Sequence, residues 1–145
     1  MKVSLSWIKE YISVDLASSV IADELTMAGL EVDSVEERYN YFKNIVVAKV
    51  IEVKKHPNAD KLSVCMVDAG DDEPIQIVCG APNVKEGMNV PCALPGAILP
   101  GDFRIKKGKL RGEVSSGMLC SASELKLNSD ASGIMDLEGD FIPGT

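Results

Sequence analysis

A run of basic side chains is the feature of this sequence best suited to chemistry. Five cations lie within eight residues, with no acid among them: Arg104, Lys106, Lys107, Lys109 and Arg111. Cations on one face bind phosphates, because counterion release supplies most of the sequence-independent affinity for nucleic acid. Three further lysines, Lys54, Lys55 and Lys61, flank a turn and could extend the same surface. The alternative is a solvated basic loop without a partner.

The net charge of −7 is unevenly distributed along the 145 residues. Residues 1–42 carry three basic and eight acidic groups, a net −5, and residues 112–145 carry one basic and six acidic groups, also −5. Residues 43–111 carry eleven basic and eight acidic groups, a net +3. Screening over about 8 Å makes the local charge decisive for a phosphate ligand. The middle segment is therefore the part expected to face phosphates.

Candidate catalytic groups are few, and no catalytic site is expected in this chain. The single histidine, His56, precedes a proline, so it is either a general base or a turn residue with its ring packed on a loop. No nucleophile elbow, phosphate-binding loop or dinucleotide-binding motif is present. Asp71, Asp72 and Glu73 are either a cation site or a solvated hairpin tip, and the tip is favoured.

Four cysteines occur, at positions 65, 79, 92 and 120, and no two form a C-x-x-C pair. A zinc site or a disulfide is one interpretation, but structural zinc usually needs closely spaced ligand pairs. Small apolar side chains within strands are the favoured interpretation. No metal or other cofactor is expected in this fragment.

The elements that must position these groups change type near residue 40. Residues 1–39 read as a helical segment: Ser4 or Ser6 caps a helix through Tyr11, and Ser18 or Ser19 caps a second helix that Gly29 ends. From Asn44 the period changes to two, and residues 40–145 are assigned to a β domain. Strands are predicted at 45–53, 62–67, 75–79, 90–94, 103–105 and 114–121, with Pro91 suggesting an edge or a strand start and Ser123 capping a short terminal helix.

Short strands with Gly/Pro turns predict a mainly β fold, a five-stranded OB-fold Greek-key barrel with a short N-terminal helical segment. In the basic run, alternation predicts that Phe103 and Ile105 face the core while Arg104 and Lys106 face out. A continuing loop then presents Lys107, Lys109 and Arg111 to solvent. Aromatic residues are scarce, which favours recognition of RNA backbone and shape over base stacking.

Targeting signals are not apparent. The N-terminus breaks with charge too early for a signal peptide, and no apolar run reaches about 18 residues. A cytoplasmic location is therefore expected.

Several motifs resemble the tRNA-binding OB-fold domain found in several aminoacyl-tRNA synthetases. They are HPNADKLSVC at 56–65, QIVCGAPNV at 76–84 and KLRGEVSSGMLCS at 109–121. KVSLSWIKEY at 2–11 and LTMAGLEV at 25–32 are similar to the N-terminus of bacterial phenylalanine–tRNA ligase β subunits. Together the matches cover nearly the whole chain in the family's order.

The resemblance implies a tRNA-binding accessory role in aminoacylation of tRNA(Phe), or a structural and assembly role with little direct tRNA contact. It implies partners beyond this chain: tRNA, a catalytic α subunit that handles ATP, Mg²⁺ and phenylalanine, and the remainder of a longer β subunit. It also implies that the barrel is an insertion in a split first domain, so that residues 1–39 lack part of their packing partner. The family's RNA surface carries over to Lys109, Arg111, Ser115, Ser116 and Met118.

Overall fold

The structure is a computed structural model that describes residues 1–145, in two compact units, Met1–Tyr39 and Asn40–Thr145. The first unit holds helices α1 (Leu5–Ile8) and α2 (Ser18–Met27). The second holds nine strands: β1 (Ile45–Lys55), β2 (Ser63–Asp68), β3 (Ile75–Cys79), β4 (Asn89–Ala93), β5 (Ile98–Leu99), β6 (Phe103–Arg104), β7 (Gly108–Leu110), β8 (Glu113–Ser115) and β9 (Met118–Leu119). The longest helix has 10 residues, and none is long and apolar enough to cross a bilayer.

Helix α2 ends where the sequence predicts. Gly29 has φ of 94°, the left-handed conformation that glycine adopts without steric cost. The Leu30 N–H donates to the Leu25 carbonyl and the Gly29 N–H to the Thr26 carbonyl, which is a Schellman arrangement. The predicted glycine stop is therefore confirmed.

The predicted N-terminal caps are only partly right. Ser4 occupies the N-cap position of α1, but its hydroxyl bonds to the Ser6 hydroxyl instead of a backbone N–H, and the helix ends at Ile8 rather than Tyr11. The N-cap of α2 is Ala17, because Ser18 already has helical geometry. The prediction of Ser18 or Ser19 as the cap is thus wrong.

The second unit is built on a nearly closed antiparallel barrel with strand order β3-β2-β1-β4-β9. The long strand β1 pairs with β4 through residues 45–49 and with β2 through residues 49–55. A bulge at Ile51 interrupts the second ladder, and such a bulge bends a strand. One long bent strand can thus serve two sides of a small barrel, as the predicted OB-fold requires.

The predicted last strand is divided in two, and this division closes the barrel. β8 and β9 are separated at Gly117, which has a φ of 153°. A Cβ at this position would lie 2.7 Å from the Ala93 carbonyl oxygen. The Ser116 N–H donates to the Gln76 carbonyl, and the Val78 N–H donates to the Ser115 hydroxyl. These two bonds join the end of β8 to β3.

Pro91 lies in an inner strand, β4, between β1 and β9, so the suggestion of an edge is wrong. Opposite Pro91, the Val47 N–H and carbonyl point away from β4 and pair with Thr145 and Gly144. The proline therefore removes no bond from the β1–β4 ladder. Its own carbonyl accepts the Cys120 N–H from the other side.

Two apolar clusters fill the unit. The barrel cluster includes Val50, Val67, Ile77 and Val90, and a second cluster beneath β5 and β6 includes Leu99, Ile105 and Leu125. All four cysteines are free and buried; Cys65, Cys79 and Cys92 lie on strands as predicted, and Cys120 directly follows β9. Residues Ser121 to Leu127 form turns rather than the predicted terminal helix. Ser121 and Glu124 bond reciprocally as in a capping box, without a helix following.

Candidate nucleic-acid interface

The basic run forms a β-hairpin rather than the expected loop. β7 and β8 pair with Leu110 opposite Glu113, which leaves a two-residue turn of Arg111 and Gly112. Both turn residues have positive φ, 51° and 98°, as in the type I′ turn that suits a hairpin's twist. The turn thus presents Arg111 at the tip, and Lys109 lies exposed on β7.

The tip of this hairpin is attached to the His56-Pro57-Asn58 turn. His56 is only 3% exposed; its Nδ1 accepts the Asn58 N–H at 3.0 Å. Its Nε2 must therefore carry the proton, and it donates to the Leu110 carbonyl at 3.0 Å. Asn58 Nδ2 adds a long bond of 3.4 Å to the Arg111 carbonyl. Both ring nitrogens are occupied, so the ring is a positioning group, as the favoured interpretation had it.

Two adjoining grooves run beside the hairpin, with volumes of about 690 and 510 Å³, and they share Gly80, Ala81 and Pro82 as a wall. The larger groove is lined on its basic side by Arg104, Lys106 and Lys109. The smaller groove is lined by Lys55 and Lys61. The fold therefore brings five of the predicted cations to one grooved face.

The remaining predicted cations lie outside these grooves. Lys107 and Arg111 are exposed on or beside the hairpin, and Lys54 is exposed on β1. Carboxylates partner three of the predicted site's cations: Lys54 with Glu52 at 2.9 Å, Lys55 with Asp60 at 3.9 Å and Arg104 with Asp102 at 4.0 Å. Five others have no carboxylate within 4.0 Å: Lys61, Lys106, Lys107, Lys109 and Arg111. Pairs this exposed are weak, so all eight cations can still meet phosphates.

Three uncharged residues of the predicted site have structural partners. Ser115 is 5% exposed, and its hydroxyl accepts the Val78 N–H at 3.1 Å and donates to the Gly117 carbonyl at 3.0 Å. Ser116 is half-buried and bonds through its backbone to Gln76. Met118 lines the larger groove and packs on the second apolar cluster. RNA contact by these three residues stays a prediction.

Phe103 is the groove residue that the alternation pattern misplaced. Ile105 is buried as expected, but Phe103 is 57% exposed and lines the larger groove. β5 and β6 form a separate ribbon with two residues in each strand. Ile105 follows β6 and takes the inward position, and its backbone forms hydrogen bonds with Ala97 and Gly96. A two-residue strand cannot establish an alternation, and the sequence held no other signal for this exposure.

Asn83 is a second residue that the sequence did not single out. Its Oδ1 accepts the Ile134 N–H at 2.9 Å and its Nδ2 donates to the Ile134 carbonyl at 2.8 Å. This paired contact holds residues 131–134, which form part of the lining of the larger groove. The contact spans 51 residues, which local sequence patterns do not report.

Other reactive groups in the chain are not arranged for chemistry. No three His, Cys, Asp or Glu side chains are grouped so that they could hold a metal ion. Burial raises the pKa of the Cys65, Cys92 and Cys120 thiols to about 12, and it raises that of Cys79 as well. Asp71, Asp72 and Glu73 are exposed in the loop between β2 and β3, in agreement with a hairpin tip.

Comparison with known proteins gives a family match and several similar curated proteins. Residues 45–145 match the family model described as "Putative tRNA binding domain". The phenylalanine–tRNA ligase β subunit of Dechloromonas aromatica is 54% identical over 140 residues, covering 97% of this chain and 18% of that protein. The Pasteurella multocida β subunit is 49% identical over all of this chain and 18% of its own length.

The chain thus spans about a fifth of the length of the curated relatives that it matches. One solved structure, the C-terminal domain of Plasmodium vivax p43, overlaps with 52% of this chain and 44% of that chain, at 28% identity and a TM-score of 0.43. The resemblance to β subunits of this ligase, stated from the motifs, is confirmed by the identities above. By the match over residues 45–145, the chain belongs to the tRNA-binding domain family.

Proposed function

We propose that residues 40–145 are a tRNA-binding accessory domain of a phenylalanine–tRNA ligase β subunit, which supports aminoacylation of tRNA(Phe) in the cytoplasm. The observation that carries the proposal is the grooved basic face, where cations of the β7–β8 hairpin and of the His56 turn lie around shared walls. The family match and the similarity to β subunits support it.

The same charges set the expected strength of binding. The basic face is bordered in sequence by two segments that each carry a net −5. Within a Debye length of about 8 Å the local cations attract a phosphate backbone, while the chain as a whole, at a net −7, opposes its approach. We expect weak, salt-sensitive binding with little discrimination of the anticodon.

The chemistry of aminoacylation belongs elsewhere in this proposal. His56 has both ring nitrogens engaged in hydrogen bonds within the chain, so its imidazole is not free to act as a general base. We assign ATP, Mg²⁺ and phenylalanine to a catalytic α subunit, with which the longer β subunit assembles.

A titration of labelled tRNA(Phe) with the 145-residue chain tests the proposal. Fluorescence anisotropy at about 50 and about 200 mM salt should show binding that weakens sharply at the higher salt, since each phosphate contact releases counterions. A tRNA with an altered anticodon should bind within a few-fold of the parent. Absence of binding at the lower salt would refute the proposal.

A second candidate function is structural, in assembly of the synthetase. It is favoured by the unit Met1–Tyr39, where no residue is buried and large apolar side chains are exposed, among them Trp7, Tyr11 and Leu30. Such a unit needs a packing partner, and the remainder of a β subunit would supply one. If assembly is the role, the barrel does not bind tRNA. Deleting residues 40–145 from the full β subunit should then lower the yield of the α/β complex.

A further inference from the structure

The larger groove contains an aromatic ring in an unusual setting. Phe103 is 57% exposed, on the short strand β6, and no ring contact covers it. Its neighbours are buried: Leu99, opposite Phe103 in the ribbon, is 3% exposed, and Ile105, two residues further on, is 5% exposed. The ring therefore projects from a backbone that is anchored by buried side chains on both sides.

The surroundings of the ring are cationic. Arg104, Lys106 and Lys109 line the same groove with a single carboxylate, Glu124, and neither lysine has a carboxylate within 4.0 Å. An apolar peptide would gain from the ring but not from these charges. An unpaired nucleotide offers both a flat face for the ring and a phosphate for the cations, and this pairing of contacts is how single strands bind to protein grooves.

We infer that the Phe103 ring is a stacking platform for one unpaired base, so that the groove takes a single-stranded stretch of RNA rather than a duplex. The inference rests on the proposed function and deepens it by naming the form of RNA bound. It differs from the sequence-based expectation of backbone and shape recognition, which rested on a scarcity of aromatic residues near the basic run.

The rest of the groove lining fits this ligand. Gly80, Ala81 and Pro82 form one part of it, and residues 131–134, held by Asn83, form another. Apart from Pro82 and the buried Ile134, these side chains are small, which leaves room for a base on the Phe103 ring. A rigid duplex presents its bases stacked on one another and has no free face for the ring.

The test compares RNA forms and ring variants. The probe is an RNA hexamer with one 2-aminopurine, free or annealed to its complement, and stacking of that base on a ring quenches its emission. Phe103→Ala and Phe103→Leu should weaken binding of the free hexamer about 5- to 100-fold, the range expected for loss of one stacked base, and abolish the quench. Phe103→Tyr should retain both, since it keeps the ring.

Ile98→Ala is the matched control. Ile98 is an exposed apolar residue on the same two-stranded ribbon, opposite Arg104, and it lines neither groove. Its loss should leave hexamer binding unchanged. Thermal melts of all variants establish that each is folded, which is expected because the substituted side chains are exposed.

The possible results separate this inference from the function on which it rests. If Phe103→Leu binds the hexamer as the parent does, or if the duplex binds as well as the free strand, the stacking role is overturned, while intact tRNA binding leaves the accessory function standing. If neither tRNA nor the hexamer binds, both are overturned.

Discussion

The Nε2 of His56 donates a hydrogen bond of 3.0 Å to the carbonyl of Leu110, across 54 residues of chain. This bond joins two motifs that the sequence shows as separate, the HPN turn and the K-L-R-G hairpin tip. Asn58 contributes to the same junction through the carbonyl of Arg111. The single histidine thus determines where the basic hairpin lies relative to the smaller groove.

Replacement of His56 by alanine should destabilise the barrel by about 1–3 kcal/mol, because the Leu110 carbonyl and the Asn58 N–H, both in part-buried hydrogen bonds, lose their partner. Urea unfolding measures the change in free energy, and amide exchange should show faster opening around residues 108–115. Lys61→Ala, an exposed neighbour in the same turn region, is the control and should stay within about 0.5 kcal/mol of the parent. Equal stability of the His56 variant would contradict the junction.

Gly133 should not tolerate a side chain. A Cβ at this position would lie 2.2 Å from Asn83 Oδ1, so Gly133→Ala must break the paired contact between Asn83 and Ile134. We expect a loss of about 2 kcal/mol or more in unfolding free energy, as two partly buried bonds are removed. Gly108 has open space around it, so Gly108→Ala should lower the unfolding free energy much less.

A double-mutant cycle tests the cause of that loss. In an Asn83→Ala background the clash is gone, so Gly133→Ala should cost clearly less than it does in the parent. Additive losses would show that Asn83 is not what the new methyl group meets.

Gly70 is packed against the C-terminal residues. A Cβ there would lie 2.5 Å from the Gly144 Cα, whereas Gly87, with a nearly equal φ of 87°, has open space around it. Gly87→Ala should therefore lower the unfolding free energy only by the backbone strain, about 1 kcal/mol. Gly70→Ala should lower the unfolding free energy by more, because it adds the steric clash. Hydrogen exchange at the Val47 amide, which donates to the Thr145 carbonyl, should quicken only in the Gly70 variant. Equal behaviour of the two variants would rule out the close approach.

The barrel was predictable because its strands β1 to β4 are runs of five residues or more, rich in apolar and β-branched residues and bounded by turn residues. β3 was predicted with its observed bounds, and β1 extends only two residues further than expected. Shorter elements gave no such pattern. The β7–β8 hairpin has three-residue strands, and its only local signal is Gly112 in the second turn position.

The candidate site was predictable as a set of charges but not as a shape. The run from Arg104 to Arg111 indicates a basic face by composition alone. Its placement depends on His56 and Asn58, and the groove wall depends on Asn83, all through contacts more than 50 residues apart. Ser115, expected on the RNA surface by motif, is buried by the closure of the barrel, which no local pattern encodes.

The cysteine thiols should be unreactive in the folded chain. Their raised pKa values, about 12 for Cys65, Cys92 and Cys120, keep the thiolate scarce at pH 8, and burial blocks access. Iodoacetamide should label the four thiols much faster in urea than in buffer. Because unfolded thiols ionise near pH 9, their contribution to stability is complete below that pH and declines as the pH rises towards 12. Rapid labelling of the native chain at pH 8 would contradict the buried placement.

The most direct test of the account is the salt dependence of tRNA binding for two matched variants. Lys109→Glu reverses a charge in the larger groove, and Lys49→Glu reverses one exposed on β1 outside both grooves. We predict that Lys109→Glu weakens binding several-fold and lowers the slope of log K against log salt by about 0.7–0.9, one phosphate contact, while Lys49→Glu leaves the slope unchanged. Equal slopes for both variants and the parent would contradict the assignment of RNA to this face.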